Sequence, residues 1–334
     1  MTQRPPPLAT PVGGAVVDAV VIGRNEGARL LACLDSLAGQ QVRHIVYVDS
    51  GSSDGSVAAA RNRGAEVVAL DVDLPFTAAR ARNAGLDRLA QLAPGDLDPL
   101  VQLVDGDCTV AEGWLRDAVR FLQERPEVAV VCGRRREQFP EASPYNRLCD
   151  LEWDTPPGKA LACGGDALMR RHAVAAVGGY CDTLIAGEEP ELCLRLRQAG
   201  WVIWRLGAEM TQHDAKITRF AQWWKRTRRA GHAFAEGAFL HGAPPERHWV
   251  RETRRAVIWG LALPAGLILA ALVAPPAAVI LGLAYPAQFL RLARRDGALR
   301  AGFSILGKFA EAQGVAEFHL NRVLRRHRGL IEYR

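Results

Sequence analysis

Short apolar segments alternate with helix-like segments from Ala15 to about residue 133. The apolar runs are VVDAVVIG, HIVYVDS, AEVVAL, LVQLVDGDC and VAVVCG. Strands of this length that alternate with helices predict right-handed βαβ units, and therefore a mostly parallel sheet with helices on both faces. We predict such an α/β domain for residues 15–215. The helices predicted within it are Ala28–Leu37, Val57–Arg63, Thr77–Leu92 and Trp114–Glu124.

The two parts of the chain differ in charge. Residues 1–215 contain 22 Lys+Arg and 29 Asp+Glu, which gives −7, and residues 216–334 contain 20 and 7, which gives +13. The sum is the net charge of +6. A basic segment of this kind fits anionic lipid head groups or phosphates. We expect no nucleic acid partner, because the basic residues flank an apolar stretch and do not alternate with aromatic side chains.

The cysteines and the N-terminus indicate a reducing compartment. The seven cysteines are scattered and include no C-x-x-C pair, which argues against a disulfide framework and against a zinc site. The first residues, MTQRPPPLATPVGGA, contain no apolar segment of the kind that a signal peptide requires. We therefore expect residues 1–14 to form a disordered leader.

Acidic side chains follow two of the predicted strands, at the edge of the sheet where ligands bind in α/β folds. Asp105 and Asp107 follow LVQLV and could hold a hard divalent cation. Asp49 ends another strand and could accept hydrogen bonds from a base or a ribose. The alternatives are a solvated Asp-Gly-Asp turn and an ordinary strand-to-helix loop in which Asp54 caps the next helix. Neither G-x-G-x-x-G nor G-K-[ST] occurs in this loop, so the dinucleotide fingerprint and the P-loop are excluded.

Three acidic residues open a predicted helix in the segment AGEEPELCLRLRQAG. One acid at a helix N-terminus is explained by the helix dipole alone. Glu188 and Glu189, with Glu191 close by, place several carboxylates together. Their mutual repulsion could raise one pKa towards the range that a general base needs.

Five of these segments together resemble glycosyltransferase family two, of the membrane-associated bacterial type. They occur in the family's order over roughly residues 15–240: VVIGRNEGARL, VDSGSSDGS, TAARARNAG, VDGDC, and CGGDALMRR with VGGYCDTLIAGEEPEL. The resemblance implies a GT-A fold, which is a Rossmann-like, mostly parallel sheet. It also implies inverting transfer of a sugar from a nucleotide-sugar to a hydroxyl group, with Mg²⁺ or Mn²⁺ as cofactor.

The resemblance also implies roles for individual residues on the donor side. Asp107 would hold the metal together with Asp105, and His213 in TQHD would complete its coordination or would be structural. The remaining contacts with the nucleotide are implied for Asn25, Glu26, Asp49, Arg82, Asn83 and Asp105.

On the acceptor side, the second acid of the family's Glu-Asp motif would be the general base. It corresponds to Glu189, where the family usually has Asp, and Glu188 stays an alternative because the glutamate side chain is longer. Acceptor contacts are implied for Gly165 and Asp166. The segment FAQWWKRTRRAG matches the family's Gln-x-x-Arg-Trp motif poorly and adds three candidates, namely Trp223, Trp224 and Arg226.

Residues 256–290 contain no Asp, Glu, Lys or Arg. This length exceeds one membrane pass and is marginal for two, since a spanning helix needs about 20 apolar residues. Arginines on both flanks predict that both ends lie on the cytoplasmic side. We predict a membrane hairpin that turns at Pro275–Pro276, and in-plane helices or the buried hairpin of a soluble domain are the alternatives. Residues 216–255 are predicted to be a basic helical segment, and residues 291–334 a basic amphipathic tail.

The expected protein is a glycosyltransferase of cell-envelope polysaccharide synthesis at the cytoplasmic face of the inner membrane. Its expected partners are a nucleotide-sugar donor, a lipid-linked or saccharide acceptor, and membrane lipids. A sugar nucleotidyltransferase is one alternative, although VVIGRNEGARL lacks the lysine of its usual N-terminal loop. A non-catalytic, membrane-anchored nucleotide-sugar-binding protein is the other, and the Asp pair and the three Glu residues argue against it.

Overall fold

The computed structural model describes residues 14–96 and 99–325. The chain divides into two compact units, and each is described by itself. Unit 1 comprises Met1–Phe139, Cys149–Leu184 and Glu188–Ala215, and unit 2 comprises Pro140–Leu148, Ile185–Gly187 and Lys216–Arg334. The leader predicted for residues 1–14 lies outside the described residues except for Gly14, and so does the end of the predicted tail after Arg325.

Unit 1 is built on a mixed sheet with nine strands among the described residues. In chain order these are β1 (Val17–Gly23), β2 (Ile45–Asp49), β3 (Glu66–Ala69), β4 (Leu100–Asp105), β5 (Cys108–Val110), β6 (Val128–Glu137), β7 (Gly158–Ala160), β8 (Ala167–Arg170) and β9 (Val202–His213). The order in the sheet is β3-β2-β1-β4-β8-β6-β9-β5, and β7 pairs with β9. The half β3-β2-β1-β4 is entirely parallel, as is β6-β9, whereas β8, β5 and β7 run antiparallel to their neighbours. The predicted α/β fold is confirmed.

Seven helices connect these strands in the described part of the chain. They are α1 (Ala28–Ala38), α2 (Ser56–Asn62), α3 (Ala78–Leu92), α4 (Trp114–Glu124), α5 (Pro144–Trp153), α6 (Arg171–Ala176) and α7 (Glu188–Gln198). Helix α3 begins after Thr77, whose hydroxyl accepts a hydrogen bond from the Arg80 backbone N–H at 3.0 Å. Gly85 of α3 lies against Val20 of β1, where a Cβ would overlap the valine side chain. This glycine therefore allows α3 to approach the sheet closely.

The core of unit 1 lies on the faces of the parallel strands. Val20, Tyr47, Leu103 and Trp114 are completely or almost completely buried there. The indole N–H of Trp114 donates to the side-chain oxygen of the buried Gln102 at 2.9 Å, so both polar groups are satisfied inside the apolar layer. The packed sheet positions the loops at the carboxyl ends of its parallel strands, and the candidate site lies at this edge.

Unit 2 is helical throughout its longer segment. Its helices are α8 (Phe220–His241), α9 (Val250–Val257), α10 (Leu263–Val273), α11 (Pro275–Gly282), α12 (Ala284–Asp296) and α13 (Ala298–Val323), and a π-helical turn, Ile258–Ala262, joins α9 to α10. Helices α8 and α13 pack closely because Gly231 and Gly314 lie at their crossing. A Cβ at Gly314 would overlap the Arg228 carbonyl, and a Cβ at Gly231 would overlap the Glu311 carbonyl.

Two helices of unit 2 are long and apolar enough to cross a membrane, Val250–Val273 and Pro275–Asp296. The helix breaks at Ala274, directly before the predicted turn at Pro275–Pro276. Their apolar side chains are exposed to a degree that a buried hairpin would not show, and Leu272, for example, is 79% exposed. Exposed apolar surface of this kind is consistent with membrane association.

Candidate active site

The register of the parallel strands brings the predicted acids together. Gly23 of β1 pairs with Asp49 of β2, and Ile22 pairs with Asp105 of β4. Both acids therefore lie at the carboxyl ends of neighbouring strands, on either side of β1. This is the edge at which α/β sheets bind ligands.

Asp49 and Asn25 hold the loop that follows β2 in shape. The Asp49 carboxylate accepts hydrogen bonds from the backbone N–H groups of Gly51 and Ser52 and from the Tyr47 hydroxyl, at 2.9–3.0 Å. The side-chain oxygen of Asn25 accepts from the Ser53 N–H at 2.8 Å, across a turn in which Asn25 has a φ of 56°. Both side chains make internal bonds that order the loop.

Two further polar residues of this region also make contacts within unit 1. Glu26 forms an ion pair with Arg29 at 2.6 Å. Asp54 accepts hydrogen bonds from the Ser56 N–H at 3.0 Å and from the Ser56 hydroxyl at 2.6 Å, at the start of α2. The Ser56 N–H belongs to the first turn of that helix, where the backbone donors have no intrahelical partner.

Arg82 of α3 is the centre of an ion-pair network. Its side chain is 3% exposed, and its guanidinium nitrogens lie 2.9 Å from a carboxylate oxygen of each of Asp105, Glu188 and Glu189. Burial disfavours the charge, yet Glu189, Asp105 and Glu188 outweigh this effect and raise the pKa of Arg82 well above its ordinary value. The network connects the end of β4 to the start of α7, although the two segments are far apart in the sequence.

A second arginine, Arg135 of β6, fixes the other side of Asp105. It lies 3.2 Å from Asp105 and 2.7 Å from Asp166, which is completely buried. Asp166 also accepts hydrogen bonds from the Thr211 hydroxyl at 2.6 Å and from the Asp105 N–H at 3.0 Å. Burial would raise the pKa of Asp105, but Arg82 and Arg135 together hold it below its ordinary value. Asp105 is therefore ionised at neutral pH.

Asp107 and His213 form a separate buried pair. The imidazole Nε2 lies 3.1 Å from an Asp107 oxygen, because β5 and β9 pair with Cys108 opposite His213. Burial and the charge of Arg135 lower the pKa of His213 to about 4, so the imidazole is neutral at pH 7 and keeps a lone pair. Burial raises the pKa of the Cys108 thiol well above its ordinary value. Asp107, Cys108 and His213 have ligand atoms within 4.8 Å of one another, as have Asp105, Cys108 and Asp166.

Glu188 and Glu189 begin α7 and differ in their surroundings. Glu188 is buried, and its Oε2 has no hydrogen-bond partner among the described residues. The Glu189 side chain is 13% exposed. Burial and the neighbouring Glu188 raise the pKa of Glu189 to about 7, against the opposing effect of Arg82. Glu191 forms an ion pair with Arg195 at 2.7 Å on the same helix. Glu189 therefore combines access to solvent with a pKa near neutrality.

Two more predicted residues support this arrangement. Gly165 lies against the Arg82–Asp105 pair, since a Cβ there would come within 2.7 Å of an Asp105 oxygen and 2.8 Å of an Arg82 nitrogen. Asn83 joins α3 to the segment before α7, because its amide donates to the Tyr180 carbonyl at 2.8 Å and accepts from the Tyr180 N–H at 2.9 Å. Both residues therefore contribute to the geometry of the network.

The aromatic candidates from the acceptor prediction lie in unit 2. Trp223 is buried and packs edge-on against Phe303 at 4.9 Å between ring centroids. The Trp224 indole donates to Gln313 at 2.9 Å. Arg226 is on the same helix, α8. Within unit 2 the two tryptophans contact α13.

Sequence reasoning missed Arg135 and Thr211, the partners that hold Asp105 and Asp166. The signal for Arg135 is the segment VAVVCGRRRE, in which three arginines follow a buried run. Successive side chains of a strand point to opposite faces, so Arg135 lies on the other face from Arg134 and Arg136. An arginine in the continuation of a core strand needs a carboxylate partner when it is buried.

A sheet of this topology, with acids at the carboxyl ends of its central strands, is that of the GT-A fold. Residues 18–176 match the family described as glycosyl transferase family 2. The matched segment covers just under half of the chain. The match favours the transferase over the nucleotidyltransferase and over the non-catalytic binding protein.

Two similar proteins bear on the comparison. The chain is 27% identical over 247 residues to the pre-mycofactocin glycosyltransferase of Mycobacterium tuberculosis, a match that covers 67% of this chain. The chain spans about half the length of the curated relatives that it matches, 48%. The fold is similar to that of a mannosyltransferase from Pyrobaculum calidifontis solved with GDP-Man and Mn²⁺, with a TM-score of 0.63 and 19% identity, covering 94% of this chain and 90% of that one.

Proposed function

We propose that this protein is a glycosyltransferase, which moves a sugar from a nucleotide-sugar to a hydroxyl group, with inversion and with a divalent cation. The acceptor is lipid-linked or a polysaccharide. The observation that carries the proposal is the Arg82 network, in which one guanidinium joins Asp105 on the donor side to Glu188 and Glu189 on the acceptor side. The buried Arg82 thus holds both the donor-side carboxylate and the candidate general base. This arrangement fits a single displacement, because the donor sugar and the acceptor hydroxyl must be positioned together.

The donor set at Asp107 and His213 fits Mg²⁺ or Mn²⁺. A hard cation needs only one or two carboxylates when diphosphate oxygens and water complete its coordination. The neutral imidazole of His213 adds a nitrogen ligand, whereas the protonated Cys108 thiol is a poor one. When bound, the cation would neutralise charge on the diphosphate leaving group. GDP-Man and Mn²⁺, the ligands of the Pyrobaculum calidifontis mannosyltransferase, are therefore the first pair to test here.

The protein's own residues supply the other elements of the reaction. Glu189 takes the proton from the acceptor hydroxyl, whose oxygen bonds to the anomeric carbon while the bond to the diphosphate breaks. A pKa of about 7 is suited to this role, since a general base works best near the operating pH. Arg82 orients Glu189 and balances its charge after deprotonation. Glu188 stays the alternative base.

The donor nucleotide would bind beside the loop that follows β2. We assign Asp49 and Asn25 to shaping this loop, because their oxygens accept backbone N–H groups from it. Glu26, Asn83 and Asp105 border the same edge and are assigned to the donor side. Asp166 and Gly165 would bind the acceptor or hold Asp105 in place for it. Trp223, Trp224 and Arg226 stay predicted acceptor contacts.

The replacement Glu189→Gln tests the function directly. It should keep the affinity for GDP-Man and lower kcat by about 10²–10⁴-fold, the usual contribution of a positioned proton transfer. Transfer by the unmodified enzyme should rise with pH through about 7, the pKa of Glu189, and this dependence should disappear in the variant. Glu188→Gln is the matched control. If Glu188→Gln lowers kcat and Glu189→Gln does not, Glu188 is the general base. If both variants keep the kcat of the unmodified enzyme, the mechanism is refuted.

We also propose that the apolar helices enter the cytoplasmic face of the membrane and return to it. The uncharged arms, residues 256–273 and 275–290, contain 18 and 16 residues. As helices they extend about 27 and 24 Å at 1.5 Å per residue, and a hydrocarbon core is about 30 Å thick. Each uncharged arm is therefore close to the length of one crossing, and the pair forms a hairpin with both ends on the same side. Reporter fusions at Gly242 and at Arg334 should both report cytoplasm, and a signal from the opposite side at Arg334 would refute the hairpin.

A further inference from the structure

A cavity of about 230 Å³ lies at the open end of the apolar hairpin, within unit 2. We call it the base pocket and define it by six of its lining residues, Arg255, Gln288, Arg291, Arg295, Ser304 and Lys308. Three helices contribute to it, namely α9, α12 and α13. The volume is below the roughly 300–1,000 Å³ of pockets for drug-sized ligands. It suits a small polar group better than a complete organic molecule.

The base pocket carries excess positive charge. Two of its four cations have acidic partners, since Arg295 pairs with Asp296 at 2.7 Å and Lys308 pairs with Glu311 at 2.5 Å. Within residues 14–96 and 99–325, neither Arg255 nor Arg291 forms an ion pair. Gln288 and Ser304 add neutral hydrogen-bond donors to the same cavity. This donor set, two free guanidinium groups with an amide and a hydroxyl, matches a phosphate.

Close helix packing fixes the walls of the base pocket. A Cβ at Gly260 would overlap the Lys308 carbonyl, so the π-helical turn that holds Gly260 can lie directly against α13. The Tyr285 hydroxyl donates to the Trp259 carbonyl at 2.7 Å and so ties α12 to the same turn. The pocket is therefore a feature of the packed helices.

The surface beyond the base pocket is apolar. The hairpin arms bring Trp259 beside Tyr285, with ring centroids 5.7 Å apart, and a Cβ at Gly282 would contact Leu267 nearer the turn. The arms are therefore antiparallel, and between Trp259 and Tyr285 the sequence has no charged residue. Trp and Tyr are enriched at membrane interfaces, so the pocket lies at the level where head groups would be.

We propose that the base pocket binds the phosphate of a membrane lipid, with Arg255 and Arg291 as its principal contacts. The proposal goes beyond glycosyl transfer, and it rests on the proposed entry of the hairpin into the membrane. Basic pockets between membrane helices on the cytoplasmic side are suited to such head groups. A bulk phospholipid and a lipid-phosphate acceptor share this chemistry. The bound lipid would hold unit 2 at the bilayer.

Flotation with lipid vesicles tests the proposal on the full chain. The vesicles contain phosphatidylcholine alone, or phosphatidylcholine with a minor fraction of phosphatidylglycerol or phosphatidic acid. The double variant Arg255→Gln/Arg291→Gln removes the two free cations. The matched control, Arg254→Gln/Arg294→Gln, removes the same charge from the same two helices outside the base pocket. An unchanged melting temperature in thermal denaturation checks that each variant is folded.

Surface electrostatics alone would weaken both double variants equally, by about 30-fold for two charges at ~1 kcal/mol each. We expect the pocket variant to lose at least tenfold more affinity for vesicles with phosphatidic acid than the control loses. Equal losses would overturn the proposal. Tight binding of phosphatidic acid and not of phosphatidylglycerol supports a phosphomonoester lipid, and equal binding of the two supports bulk anionic lipid. Displacement of either lipid by inorganic phosphate at similar concentration would overturn the lipid assignment.

Neutral vesicles test the membrane hairpin separately from phosphate binding by the base pocket. All variants should keep weak binding to phosphatidylcholine through the apolar arms. If even the unmodified protein fails to float with any vesicle, the membrane hairpin is refuted. Glycosyl transfer to a soluble acceptor is unaffected by either result, so the proposed function is tested independently of the pocket.

Discussion

The replacement Arg82→Met removes the charge at the centre of the site and keeps most of the side-chain volume. The Arg82 side chain is 3% exposed, and its guanidinium contacts three carboxylates at 2.9 Å. In the variant Asp105 keeps Arg135 as a partner, whereas Glu188 and Glu189 lose theirs. Removing one partner of a buried ion pair costs about 3–5 kcal/mol. For unit 1, with about 200 residues, 1 kcal/mol corresponds to roughly 2–4 °C, so Tm should fall by about 6–20 °C at pH 7.

The destabilisation should depend on pH in a definite direction. In the unmodified protein Arg82 and Arg135 hold the pKa of Asp105 below its ordinary value, so the stability from this ionised group is present above that value and lost in acid. Without Arg82 the pKa values of Asp105 and Glu189 rise, because Arg82 lowers both in the unmodified protein. These carboxyl groups can then be protonated in mild acid at little cost. The difference in Tm between Arg82→Met and the unmodified protein should therefore shrink between about pH 7 and pH 5.

Thermal denaturation followed by circular dichroism at both pH values measures this effect. Arg88→Met is the matched control on the same helix, since Arg88 pairs with Glu66 at 3.0 Å on the surface. An exposed pair of this kind contributes about 0–1 kcal/mol. The reasoning is refuted if Arg82→Met lowers Tm at pH 7 by no more than Arg88→Met does. It is also refuted if the fall in Tm caused by Arg82→Met grows as the pH falls.

Two further replacements test the donor side. Gly165→Ala should displace the Asp105 carboxylate, 2.7 Å from the new Cβ, and cost about 1–3 kcal/mol of stability. Gly164→Ala, with no atom within 4 Å, should be silent in the same thermal-shift assay, and equal effects would contradict the argument. Asp107→Ala should abolish any stabilisation by Mn²⁺ with a nucleoside diphosphate that the unmodified protein shows, whereas Asp117→Ala on α4, where Asp117 pairs with Arg116 and Arg120, should keep it. Unchanged metal-dependent nucleotide binding in Asp107→Ala would exclude it as a ligand.

The parallel half of the fold could be predicted from the sequence because its signals are local. The predicted helix Ala28–Leu37 is found as Ala28–Ala38, and Trp114–Glu124 is found with the predicted bounds. In the other half the run VAVVCG predicted β6, whereas β7, β8 and β9 gave no such signal. Strand β9 (Val202–His213) mixes charged, polar and apolar residues and has no clear alternation, because it pairs with β6, β5 and β7 in different registers along its length.

The acids of the candidate site could be proposed from the sequence, whereas the contacts between them could not. Asp105 and Asp107 were recognisable because they follow a buried strand. The contact between Asp107 and His213 depends on the pairing of Cys108 with His213 across the sheet, which no local pattern encodes. The partner of Asp105 on β6, Arg135, was likewise hidden, since only tertiary packing determines which arginine of a run is buried.

The membrane hairpin proposed above would need no polar segment to cross the bilayer during biogenesis. A protein that spans the bilayer must move a polar loop or terminus across the hydrocarbon, which requires a translocation channel. Here the outermost part of the hairpin is Ala274 with Pro275 and Pro276, and no charged side chain lies between Arg255 and Arg291. The proposed arms would therefore be able to partition into the bilayer from the aqueous side after synthesis. Membrane attachment would then be reversible, and expression level and lipid composition would set the bound fraction.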